Sequence, residues 1–134
     1  MAVELAKQFL DAGIVTVHPD SAHRFYGETL GLPLEGEIEI PRYGLVRRYR
    51  VGDSTLRVFV PLEKPASEGS RNGFATQTGI RYLTLYVSNL EAAAAAVAAA
   101  GFKVPVPVRD LRPGVRVAQV EDADGNAVEL MEES

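Results

Sequence analysis

The chain contains its own approximate copy, and that restricts it more than any other feature. Val17 to Gly31 and Val87 to Gly101 both run from a strand end through a helix to a glycine, at one offset of seventy residues. A second echo sets Gly52–Val58 on Asp124–Leu130, with Ser54 against Asn126, and makes Arg57 and Glu129 equivalent positions of opposite charge. At 134 residues the chain suits one domain built of two like halves rather than two separate domains. Hydrophobic residues at 46% and charged residues at 24% indicate a globular protein with a real core.

The local signals agree between the halves. Ile14-Val15-Thr16-Val17 is β-branched throughout, and Phe25, Tyr26 and Leu30 are spaced for a helix that Asp20 or Ser21 is expected to cap and Gly31 with Pro33 to end. Strands are expected at Leu34–Glu39, Tyr43–Val51 and Thr55–Val60, and the polar run of residues 62–78 reads as a linker. The second half repeats the order: a strand at Ile80–Val87, a Ser88/Glu91 capping box, an alanine-rich helix ending at Gly101, then strands at Phe102–Val108, Val115–Val120 and Ala127–Met131. The expectation is α+β: a single domain over residues 1–134, with a βαβββ module at about 8–61 and another at about 79–132.

Strand side chains alternate between faces, so each strand divides into two sets. One set, including Val15, Val17, Leu56, Val58, Val128 and Leu130, is apolar throughout and suits packing on the helices. The other mixes aromatic rings, hydroxyls and one charge of each sign, as a concave small-molecule site does. It supplies the candidate ligand-binding residues Ile14, Thr16, Arg57, Phe59, Tyr82, Tyr86, Glu129 and Met131. The alternation does not decide which way Arg47, Arg48 and Arg50 point.

Phe25-Tyr26 with Leu30-Gly31-Leu32-Pro33-Leu34, Val87-Ser88-Asn89-Leu90-Glu91 with Ala99-Ala100-Gly101-Phe102, and Asp122-Ala123-Asp124-Gly125-Asn126 leading into Val128-Glu129-Leu130 together resemble the vicinal oxygen chelate superfamily. That group includes glyoxalase I, extradiol dioxygenases and bleomycin-binding resistance proteins. The resemblance implies paired βαβββ modules whose mixed sheets curl around a central cavity, commonly in a homodimer. Metal-using members place a ligand on the first and last strand of each module, and those positions fall here on Ala12, Arg57, Tyr82 and Glu129. Only Glu129 is a usual ligand, since alanine has no donor, arginine has no free lone pair and neutral tyrosine binds divalent ions poorly. No cofactor is expected and a divalent metal is disfavoured. His18 and His23, at the start of the first helix and five apart, do not make a ligand pair.

Charge and composition narrow the function classes. A net charge of −4 argues against nucleic acid as a partner. The absence of cysteine removes thiolate nucleophiles and cysteine metal sites. The first residues lack the cationic and apolar stretches of a secretory signal, and nothing approaches a membrane span, so a cytoplasmic location away from membranes is expected. Arg57 is expected to stand where the family's ion would and to pair with Glu129. Three readings follow: a metal-independent protein that sequesters a partly aromatic or polar organic molecule, a lyase or isomerase with Glu129 as base and Arg57 or Tyr82 stabilising an oxyanion, and a metal enzyme with unexpected ligands. The ligand inventory makes the last the least favoured.

Overall fold

The computed structural model describes residues 2–134. The first half gives β1 (Ala12–Val15), a helix α1 (Pro19–Ala22) that continues in π-helical form (His23–Thr29), then β2 (Leu34–Ile40), β3 (Gly44–Val51) and β4 (Ser54–Pro61). The second gives β5 (Tyr82–Tyr86), α2 (Leu90–Ala99), β6 (Lys103–Arg112), β7 (Val115–Glu121) and β8 (Ala127–Glu133). Each half forms a four-stranded mixed sheet of the same topology, ordered β1-β4-β3-β2 and β5-β8-β7-β6, with the first strand parallel to the last and the others antiparallel. These are the expected βαβββ modules with unclosed sheets. No helix among the described residues is long and apolar enough to cross a membrane.

The chain divides into two compact units that do not follow the repeat. One comprises residues 2–17 and Leu32–Lys64; the other comprises His18–Gly31 and Pro65–Ser134. The first helix thus belongs to the unit of the second half. Its attachments show why. Phe25 meets Phe102 edge to face at 4.9 Å, Arg24 stacks over the same ring and donates to the Ala100 carbonyl at 2.7 Å, and the buried Tyr26 hydroxyl donates to Asp122 at 2.7 Å. Leu90, Ala94 and Val97 of α2, together with Val120, Val128 and Leu130, are buried in this unit.

Both expected caps are corrected. His18 is the N-cap of the first helix and makes no side-chain cap bond, and Pro19 opens the helix because its preset φ and missing N–H suit that position. Asp20 is therefore inside the first turn rather than a cap. Asn89, not Ser88, occupies the second N-cap, and the free Leu90 N–H is taken by the Glu132 carboxylate of β8 at 3.1 Å. Glu91, the expected partner of Ser88, is drawn instead to Arg116.

The expected linker is more than a connector. From Pro65 onward it belongs to the second unit, forms a short 3-10 turn at Phe74–Thr76, and hydrogen-bonds from Arg71 to the Ala123 carbonyl. Gly125, at φ 87°, lies beneath it, where a Cβ would come within 3.1 Å of the Arg71 side chain.

A one-residue difference separates the two modules. Val15, the partner of Phe59, precedes Gly31 by sixteen residues, whereas Tyr86, the partner of Met131, precedes Gly101 by fifteen. The first module's extra residue falls in the segment where the helix bonds i to i+5, as the Leu30 N–H does to Phe25 at 2.8 Å. A single-residue slip turns every side chain of a strand over. The expected facing of β1 is therefore corrected: Ile14 pairs with Val58 and Ala12 with Leu56, whereas Val15 shares the Phe59 side and is 52% exposed.

Candidate ligand-binding faces

In the second unit, register places Tyr82, Thr84 and Tyr86 of β5 level with Ala127, Glu129 and Met131 of β8, on the same face. β7 extends that face with Gln119 beside Glu129 and Val117 beside Met131. Val115, Val117 and Met131 make a buried apolar floor, so Met131 is a floor residue rather than an exposed contact. The Thr84 hydroxyl donates to Glu129 Oε1 at 2.9 Å and holds that carboxylate, while Tyr82 and Tyr86 remain 51% and 68% exposed. The Phe74 ring from the loop meets Tyr82 edge to face at 5.5 Å. Sequence alternation found Tyr82, Tyr86, Glu129 and Met131 on one face; it missed Phe74, whose loop carries no periodic signal.

In the first unit, Arg57 and Phe59 lie on one face with Arg48 and Val46 of β3. Ile14 and Thr16 do not join them. Thr16 is fully buried, its N–H bonded to the Phe59 carbonyl at 2.9 Å, and Ile14 sits with Val58 on the opposite side. Arg57 pairs with Asp11 at 3.0 Å, so the charge expected to answer Glu129 is answered inside the first unit. Asp11 also accepts the Thr55 N–H at 2.8 Å. Because Tyr82 is level with the residue two before Glu129, its structural counterpart is the residue level with Thr55, which is Asp11 and not Ala12.

The three arginines of β3 are now placed. Arg47 shares the Val58 side and pairs with Glu37 at 2.9 Å; Arg48 and Arg50 share the Arg57 side, and Arg50 pairs with Glu35 at 2.7 Å. Two of the family's four positions, Arg57 and Tyr82, are poor donors for a divalent ion. Arg57 offers no lone pair and Tyr82 is a phenol, while of the two carboxylates Asp11 is held by Arg57 and the Thr55 N–H and Glu129 by Thr84. Among the described residues, no three His, Cys, Asp or Glu side chains group as they would around a metal.

The paired four-stranded βαβββ sheets and the mixed faces on their strands define a vicinal oxygen chelate protein. The family model of the Glyoxalase/Bleomycin resistance protein/Dioxygenase superfamily matches residues 8–130, and the chain belongs to that superfamily. Among solved structures it is similar to SMU.1112c, at 26% identity over 96% of this chain and 100% of that one, with a TM-score of 0.77. A glyoxalase family protein from Bacillus cereus superposes with a TM-score of 0.80 at 19% identity, covering 97% and 99% of the two chains. TnmS3, an antibiotic binding protein from Streptomyces sp. CB03234, gives 0.71 at 20% identity over 98% and 100%. The last two likenesses are of fold alone. No functionally curated protein matches the chain.

Proposed function

We propose that the protein binds a small organic molecule, partly aromatic or polar, and holds it without a divalent metal, as a sequestering protein does. The second unit's face carries this reading: two exposed tyrosines stand beside a carboxylate whose orientation Thr84 holds, over an apolar floor. Exposed rings next to a few oriented polar groups are the composition of a ligand site rather than of a solvated sheet. The likeness to an antibiotic binding protein of the same fold supports it. The donor set described above supports the metal-free form.

A lyase or isomerase reading stands beside it, because a carboxylate positioned by the Thr84 hydroxyl has the arrangement of a general base, with Tyr82 of the same face as the oxyanion partner in that reading. One experiment separates them. Purified protein is incubated with a panel of aromatic and polar compounds, and bound and free fractions are analysed by mass spectrometry, with metal content measured alongside. Recovery of an unchanged bound compound supports sequestration. Product that disappears in Glu129→Gln while binding persists moves the reading to catalysis, and stoichiometric metal that survives mild chelation overturns the metal-free form. The same proposal has the protein acting as a cytoplasmic homodimer away from nucleic acid and membrane. Sedimentation and cell fractionation test it, and a monomer at micromolar concentration would contradict the dimer.

A further inference from the structure

The open face of the first sheet is organised in rows. Register aligns Gly13, Arg57, Arg48 and Gly36 across all four strands, and the next row is Val15, Phe59, Val46 and Ile38. Two guanidinium side chains thus stand side by side with a glycine at either end, against an entirely apolar row. Like charges directly opposite on neighbouring strands destabilise a sheet unless something answers them. Arg57 is answered by Asp11 and Arg50 by Glu35. Arg48 is only partly exposed, and no carboxylate within hydrogen-bonding reach answers it among the described residues. Beside it, a Cβ built on Gly36 meets nothing within 4 Å. The neighbouring row keeps Val15 and Ile38 half-exposed, at 52% and 50%.

We propose that this face is the recognition site for a small aromatic carboxylate. Its anion lies in the gap over Gly36 against Arg48, with Arg57 held alongside by Asp11, and its ring lies on the row of Val15, Phe59, Val46 and Ile38. Two features select this class. A partly exposed guanidinium with no carboxylate calls for an anion, and guanidinium is suited to planar carboxylate recognition. The apolar row one residue pair away calls for a flat apolar body attached to that anion. The inference rests on the reading that the chain binds a small molecule, and names the chemistry of what it binds.

The test uses the full chain at neutral pH, with 1-naphthoate as the probe and 1-naphthalenemethanol, which has the same ring without the charge, as control. Binding is read by titration calorimetry and by ring fluorescence. Naphthoate is expected to bind at least roughly tenfold tighter than the alcohol, the scale of one hydrogen bond to a charged group, and its advantage is expected to shrink as salt rises. Arg48→Gln is expected to remove that advantage while leaving alcohol binding unchanged and thermal stability no lower than the parent's, since it relieves the repulsion with Arg57. Gly36→Glu, which places a carboxylate into open space beside Arg48, is expected to remove the advantage as well, again without lowering thermal stability. Equal binding of the two compounds by the unaltered chain, or an Arg48→Gln protein that still prefers naphthoate, overturns the anion inference and leaves the small-molecule reading standing. Absence of naphthoate binding, together with dissociation of an oligomer on Ile38→Glu, overturns it in favour of a second copy covering the face. The comparison within the unaltered chain decides the matter even if a variant fails to fold.

Discussion

Replacing Tyr26 by phenylalanine tests the joint that brings the first half's helix into the second half's unit. The ring stays, with its edge-to-face packing on Phe25 at 4.7 Å, and only the hydroxyl that donates to Asp122 at 2.7 Å is lost. A buried hydrogen bond to a charged acceptor contributes about 1.5–3 kcal/mol. Asp122 still accepts the N–H groups of Asp124 and Asn126 and the Asn126 side-chain amide, each at 2.9 Å. The carboxylate is therefore not stranded, and the lower part of that range applies, about 1.5–2 kcal/mol. For a chain of this length that lowers the thermal midpoint by roughly 5–10 °C.

The pH dependence supplies an independent sign. Burial, and after it the Asp122 charge, hold the Tyr26 phenol well above its usual range. The group is thus protonated in both states below the unfolded value of about 10, where its contribution to stability is complete. Above that pH the unfolded chain loses the proton first, so stability falls as pH rises toward the folded value. Thermal and urea unfolding of both proteins between about pH 7 and pH 11 should show a smaller alkaline decline in Tyr26→Phe. A midpoint within about 1 °C of the parent at neutral pH, with parallel alkaline declines, would refute the assignment of this bond as the joint.

The Arg57 side chain is 50% exposed where it meets Asp11, so Arg57→Ala should cost only about 0.2–1 kcal/mol in a urea titration, far from the loss expected for a buried pair. Asp11→Ala should cost more, about 1 kcal/mol or above, because it also removes the acceptor of the Thr55 N–H. Glu132→Ala should destabilise by about 0.5–2 kcal/mol and speed hydrogen exchange at the Leu90 amide, since the carboxylate serves there as the missing N-cap. Gly44→Ala should be far more damaging than any of these: at φ 150° a Cβ would lie 2.1 Å from the Val60 carbonyl oxygen, forcing β3 from β4, and soluble folded protein in good yield would contradict that geometry.

Much of the candidate site was legible because strand alternation is a local property. Tyr82, Tyr86 and Glu129 share one face as their spacing implied, and Arg57 and Phe59 share another. The reading failed where a neighbouring strand set the answer. Alternation puts Ile14 and Thr16 in the mixed set because Val15 and Val17 look like core residues, but pairing with β4 sets Ile14 with Val58 and Val15 with Phe59. The facing of Arg48 and Arg50 follows only from the pairing of β3 with β4, because neither alternate set along β3 is clearly apolar. Asp11 lies just ahead of β1 in a segment with no alternation to interpret, yet it answers the charge assigned to Glu129.

By itself the sequence determined the doubled strand–helix–strand order, the glycine that ends each helix, and the family. Each of these is written in short-range patterns, where φ preference, side-chain period and turn chemistry act over a few residues. Tertiary structure alone decided the register of β1, the partners of Arg57 and Glu129, and the unit that receives the first helix. Those depend on groups far apart in the chain. Tyr26 and Asp122 are ninety-six residues apart, and Arg57 and Asp11 forty-six, and only packing and hydrogen-bond satisfaction across that distance choose between pairings that local patterning leaves equivalent.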